Sequence, residues 1–118
     1  MTKIQIELVS AFKGEPVVLV AMDRDGLDVV RESLAFSQAG ELPTVVVGAV
    51  TIGFSAEPSS SSIDIRPSKV TLQLAPRKID EIIEKLDAMR ASPAPCHHYV
   101  DIDAPTGTLV LAKDEYLT

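Results

Sequence analysis

VVLVAM at Val17 to Met22, DRDGLDVVRESLAFSQA at Asp23 to Ala39 and TVVVGAVTIGFS at Thr44 to Ser55 form an extended apolar run, a helix signal and a second extended run. The same succession returns as VTLQL at Val70 to Leu74, PRKIDEIIEKLDAMR at Pro76 to Arg90 and CHHYVDID at Cys96 to Asp103. The copies agree in physical character with little residue identity. Leu27, Val30 and Leu34 in the first answer to Ile79, Ile82 and Leu86 in the second. That i, i+3, i+7 spacing puts three apolar side chains on one helical face, so both helices bury a stripe. A sheet with two such helices on one side covers both stripes with one core. The expected fold is therefore a single α+β domain over residues 1–118, a mainly antiparallel sheet in the order β-β-α-β followed by β-α-β-β, with both helices packed on one face.

Working outward, Ile4, Ile6 and Leu8 alternate with Lys3, Gln5 and Glu7, the period of a strand with one wet face. A turn is expected at Lys13-Gly14-Glu15-Pro16. Asp23 or Asp25 can cap the first helix, and Gly40 followed by Pro43 ends it. Gly48 and Gly53 mark a bend, a bulge or a close backbone approach within Thr44 to Phe54. Glu57-Pro58 and the serines from Ser59 to Ser62 break regular structure and are expected to form a flexible hairpin loop. The apolar parity of Ile63 and Ile65 switches to that of Val70, Leu72 and Leu74 across Pro67-Ser68, which requires a bulge or tight turn there. Pro76 suits the first helical position, Asp80 and Glu81 the positive end of the second helix, and Arg90 its C-terminal end.

The chain has 118 residues, enough to bury a core without disulfides or a structural metal. Apolar residues make up 46% and aromatics only 4%, so the interior is built from Val, Ile, Leu and Ala, and stacking platforms for single-stranded nucleic acid are not expected. The net charge of -6 lacks the basic footprint of a nucleic-acid binder but can attract a basic protein. The lone cysteine, Cys96, excludes an intramolecular disulfide and fits a reducing compartment. MTKIQIELVS has no continuous apolar segment of the kind a secretory signal needs, and Thr44 to Phe54 is too short to span a bilayer as a helix. A cytoplasmic protein without membrane or direct nucleic-acid contact is expected. Val45, Val47, Ala49, Val17 and Leu19 are too apolar for full exposure, which predicts a homodimer through the sheet's other face or a free edge.

Chemistry concentrates between Cys96 and Thr108. On a strand, His97, Tyr99, Asp101 and Asp103 share one polar face, while Cys96, His98, Val100 and Ile102 share a core face on which His98 is a mostly buried imidazole. His97, Asp101 and Asp103 are candidate ligands for Zn²⁺ or Mn²⁺, which accept mixed nitrogen and oxygen donors. Same-face neighbours on a strand stand about 6.5 to 7 Å apart, so a further ligand would have to come from elsewhere, and no H-x-H, HExxH or paired CxxC supplies it. The competing assignment is an exposed polar face ending in the Ala104-Pro105-Thr106-Gly107 turn. No catalytic residue is assigned, because no nucleophile elbow, P-loop or dinucleotide fingerprint is present.

The succession of VTLQL, an amphipathic helix, CHHYVDID and the strand TLVLA resembles the small α+β immunity proteins of bacterial polymorphic-toxin systems, over roughly the last two fifths of the chain. Histidines with a nearby acidic residue before a closing strand occur in that family, and His97, His98 and Asp101 hold those places. The resemblance implies a protein that neutralises a toxin by binding it, without chemistry. The acidic surface suits capping a basic toxin, with Asp23, Asp25, Asp28 and Glu32 on the first helix as a partner-binding patch. The alternatives are a small metal-binding enzyme or sensor using His97, Asp101 and Asp103, and a self-assembling domain with a small-ligand pocket between sheet and helices.

Overall fold

The computed structural model describes residues 2–117. Its elements are β1 (Ile4–Phe12), β2 (Glu15–Met22), α1 (Arg24–Gln38), β3 (Thr44–Val47), β4 (Val50–Ala56), β5 (Ser62–Ile65), β6 (Lys69–Leu74), α2 (Pro76–Ala91), β7 (Cys96–Asp101) and β8 (Thr108–Lys113). The class is α+β and the pairing mainly antiparallel, as the sequence predicts. The strands divide, however, between two four-stranded sheets, β1-β2-β8-β7 and β3-β4-β6-β5. The repeat is β-β-α-β-β in each half, and each sheet takes one hairpin from each half.

Of the two strands beyond the expected six, one comes from Thr44 to Ser55, an apolar run that holds a hairpin. Val47 pairs with Val50, and Gly48 at φ 63° takes the first central position of the two-residue turn, the left-handed conformation that glycine adopts without a Cβ penalty. The other comes from the parity switch, which is a tight turn: Ile65 pairs with Val70, and the Arg66 N–H donates to the Lys69 carbonyl across Pro67-Ser68. Ile63 and Ile65 thereby face the same core as Val70, Leu72 and Leu74.

The two halves are related by a pseudo-twofold that extends to register. β2 runs parallel to β8 with Val18 opposite Leu109 and Val20 opposite Leu111, and β6 runs parallel to β4 with Val70 opposite Ile52 and Leu72 opposite Phe54. Leu27, Val30 and Leu34 of α1 and Ile79, Ile82 and Leu86 of α2 are all buried in the core shared by both sheets. The helices lie antiparallel, tied by Arg31 to Asp87 at 2.9 Å, Arg90 to Asp28 at 2.5 Å, and Gln38 to Asp80. The Asp28–Arg90 pair in one half corresponds to Asp80–Gln38 in the other.

The helix ends follow local chemistry. The Asp23 carboxylate accepts from the Gly26 N–H at 2.7 Å and the Lys3 N–H at 3.0 Å. At the other end Gly40, at φ 89°, donates to the Ser37 carbonyl while Glu41 donates to Phe36, a Schellman closure. Pro76 opens α2 at its first turn, and the buried Lys113 donates its ammonium to the Ser92 carbonyl at the negative end of that helix.

Of the apolar residues on which the expected homodimer rested, the chain itself covers Val17 and Leu19. Val17 and Leu19 lie on the outer face of the first sheet with Ala21, Val110 and Ala112, and Leu19 is only 3% exposed. Val9, Phe12 and Leu117 pack over them. The tail reaches there because Asp114 and Tyr116 adopt positive φ and the Asp114 N–H is anchored on the Met22 carbonyl at 2.8 Å. Val45 and Val47 turn toward the inner core but are only partly buried, and Ala49 is exposed at the hairpin tip.

The serine segment also differs from the flexible hairpin loop expected of it. β4 and β5 are not neighbours, because β6 lies between them. Ser61 is buried, its hydroxyl accepts from the Ala75 N–H at 3.0 Å, and its own N–H donates to the Asp103 carboxylate at 2.7 Å.

Candidate functional site

Alternation along β7 sorts its side chains as the sequence predicts. His97 stands opposite Ala112 and Tyr99 opposite Val110, both on the outer face of the first sheet, with Asp101 opposite Thr108 on the same parity. Cys96 and Val100 turn inward and pack in the core. His98 shares that inner parity but is only partly buried. His98 is therefore less enclosed than the mostly buried imidazole expected.

The polar set does not converge on an ion. β7 ends at Asp101, and Ile102 turns into the core with its N–H donating to the Gly107 carbonyl. That turn carries Asp103 off the strand face to the Ser61 N–H. Asp101 stays exposed. His97 turns its Nδ1 to the Glu115 carboxylate at 3.0 Å. Among the described residues no group of three or more His, Cys, Asp or Glu side chains is arranged to hold a metal. The structure thus does not bring together His97, Asp101 and Asp103, the residues expected to hold Zn²⁺ or Mn²⁺.

What His97 does join is a cluster of rings. Its plane lies edge-on to Tyr99 at 5.5 Å and 90°, and to Tyr116 at 6.2 Å. Phe12 meets Tyr116 at 5.5 Å, Tyr99 at 6.3 Å and His97 at 6.4 Å, also edge-to-face, the arrangement that ring quadrupoles favour. The Tyr99 hydroxyl approaches His97 Nε2 at 3.4 Å, so both imidazole nitrogens have a polar neighbour and the ring is fixed between tyrosine and glutamate. Lys13 Nζ lies 6.0 Å from the Tyr99 ring centre. Behind β7, Lys85 of α2 donates to the Tyr99 carbonyl at 2.6 Å and fixes that free edge.

Three distant segments build this face: the end of β1, the strand β7 and the tail after β8. Sequence alternation finds His97 and Tyr99 but not Phe12, Lys13, Glu115 or Tyr116. The signal for the last two is faint, an acidic and an aromatic residue beyond a strand otherwise finished at Lys113.

The acidic patch on α1 is divided by its own contacts. Asp23 is consumed as the helix cap and Asp28 is held by Arg90. Asp25 and Glu32 remain exposed. The hydrogen bond and charge of Asp87 hold the Arg31 guanidinium above its ordinary value, and Asp28 does the same for Arg90. No helix among the described residues is long and apolar enough to cross a membrane. No family model, curated protein or solved structure matches this chain.

Proposed function

We propose that this chain is a non-catalytic protein-binding module that presents the ring face of its first sheet to a basic partner, in the manner of an immunity protein that neutralises a toxin by direct contact. The observation that carries this reading is a pair of tyrosines, Tyr99 and Tyr116, each 44% exposed and each braced by other rings over a buried apolar layer. Tyrosine on a rigid support offers large contact area at little conformational cost, and such residues dominate binding energy at interfaces. Acidic groups flank the rings. Glu7 shares a cross-sheet row with Tyr99 through Leu19 and Val110, Asp101 follows Tyr99 on β7, and Glu115 backs His97. With a net charge of -6, these groups favour a cationic partner and speed its approach at low salt.

The test is affinity capture from lysate of the source organism with three tagged baits: the native chain, Tyr99→Ala with Tyr116→Ala, and Asp25→Lys with Glu32→Lys. A stoichiometric basic protein held by the native and helix-variant baits, and lost from the ring variant, is the expected result. Truncating one such tyrosine weakens binding roughly 30-fold, about 2 kcal/mol. Loss only from the helix variant moves the interface to α1, and capture of nothing by any bait overturns the proposal.

A further inference from the structure

The pseudo-twofold fails along one flank of α1, and the failure leaves a channel beside a free strand edge. Matching Leu34 to Leu86 sets Val29 against Glu81 and Ser33 against Lys85, and the strand registers set Val45 against Val100 and Thr44 against Tyr99. In the second half the edge of β7 is covered from its helix: Glu81 binds Lys78 and Lys85, and Lys85 donates to the Tyr99 carbonyl. In the first half the apolar Val29 and the buried Ser33 bring no cation to β3.

β3 is the end strand of its sheet. The Pro43 carbonyl accepts from the Phe54 N–H at 3.1 Å, so the main-chain groups of Pro43, Val45 and Val47 face β4 and those of Thr44 and Val46 face away. Among the described residues these outward groups have no hydrogen-bond partner. Between this edge and α1 the surface is hollowed twice. A cavity of about 430 Å³ lies against Val29, Val45, Val46 and Val47, and one of about 200 Å³ against Phe36, Glu41, Leu42 and Pro43. Leu42 is 75% and Val46 71% exposed. The rim is acidic: Asp25, Val29, Glu32 and Phe36 follow one another down one helical flank in steps of four, three and four residues, and Glu41 lines the second hollow. Asp25, Glu32 and Glu41 are exposed and, among the described residues, make no ion pair.

We propose that this edge binds an extended basic segment of another protein, which adds antiparallel to β3 and lays alternate side chains into the channel. The side chain opposite Val45 is aliphatic and meets Val29. The residues two before and two after it are Arg or Lys, with stems along the apolar channel and cationic heads at Asp25 on one end and at Glu32 and Glu41 on the other. The spacing agrees, since Asp25 and Glu32 lie about 10 Å apart along α1 and strand residues four apart span about 13 Å. Main-chain bonds to Thr44 and Val46 supply affinity, and the inward side chains supply selectivity. A second copy fits this edge poorly, because a twofold pairing of two β3 strands would bring each α1 flank beside its image and set like carboxylates together. The site shares no residue with the ring face and does not rest on it.

The probe is the blocked peptide Thr-Arg-Thr-Val-Thr-Arg-Thr, titrated into the ¹⁵N-labelled native chain beside two controls. One control carries Glu in place of both Arg, and the other carries N-methyl groups on the two threonines that flank valine, the residues set opposite Thr44 and Val46. Expected are saturable shifts of the Val29, Phe36 and Thr44 to Val47 amides, slowed hydrogen exchange at Thr44 and Val46, and binding weakened roughly tenfold or more in each control and by Glu32→Lys with Glu41→Lys in the protein. No shifts at millimolar peptide, shifts confined to Tyr99, Tyr116 and their neighbours, or equal binding of either control would overturn the proposal. Shifts of the β3 amides that grow with protein concentration in the absence of peptide would overturn it too, by giving the edge to a second copy. Because the native chain is the titrated species, an unfolded charge variant leaves the peptide comparison decisive.

Discussion

Gly26 stands in the first turn of α1, where a Cβ would collide with the Lys3 carbonyl oxygen and press on Ile4 Cγ1 at 2.9 Å. Its φ is not left-handed, so the requirement is for space between the helix start and β1, and backbone atoms cannot yield as a side-chain tip can. Gly26→Ala is expected to cost about 3 kcal/mol, read as a lowered urea midpoint at unchanged slope. A second prediction concerns the bond that ties the β7–β8 connection to Ser61. Asp103→Ala removes the acceptor for the Ser61 N–H in a part-buried setting and should cost about 1 to 2 kcal/mol, while Asp101→Ala, exposed on the same segment, should be close to neutral in the same urea titration. At this scale the sequence exposes parity better than partners. Alternation places His97 and Tyr99 on the outer face, yet Phe12, Glu115 and Tyr116 arrive from the two ends of the chain, a proximity that no local pattern encodes.

The two helices are the elements most legible in the chain, because apolar stripes, the Asp23 cap, Gly40 and Pro76 all report local geometry. The run from Thr44 to Ser55 hides its hairpin because Val45, Val47, Val50 and Ile52 are apolar on both sides of the turn, and only the φ of Gly48 separates two strands from one bent strand. Within α2, Glu81 accepts from Lys78 at 3.0 Å and Lys85 at 3.2 Å. Partial burial opposes its ionisation, but the two hydrogen bonds and the two positive charges outweigh this and hold the carboxyl below its ordinary value. A lowered folded-state value means that the unfolded chain binds the proton more tightly. The stabilisation is therefore complete above the ordinary glutamate range and disappears as pH falls through the lowered value. Glu81→Gln should reduce stability by about 0.5 kcal/mol near neutrality, with the gap closing in acid. Paired thermal melts of the two proteins across the acid range measure it, and a gap that widens toward low pH would contradict the assignment.

At the scale of the whole molecule, the pairing of strands across halves makes the two copies interdependent. The hairpin β1-β2 finds its parallel neighbour in β8, and β5-β6 finds its own in β4, so each sheet is half supplied by residues from the other end of the chain. This exchange was not legible in the sequence: period and turns define hairpins, while the choice between one sheet and two depends on which hairpins meet, a long-range outcome. A repeat that merely stood beside its copy would leave each half with its own sheet and core. Here each half alone holds two separate hairpins and one helix, and an isolated two-stranded hairpin is at best marginally stable in water. Cutting the chain between Glu57 and Pro58 should thus yield two fragments that are each unfolded at micromolar concentration, as judged by narrow amide dispersion. Equimolar mixing should restore the dispersed spectrum of the intact chain, with a midpoint that rises with concentration because association has replaced a covalent connection. A fragment with native-like dispersion by itself would show that one half carries a complete core, and would place the source of stability within the repeat rather than in the exchange between its copies.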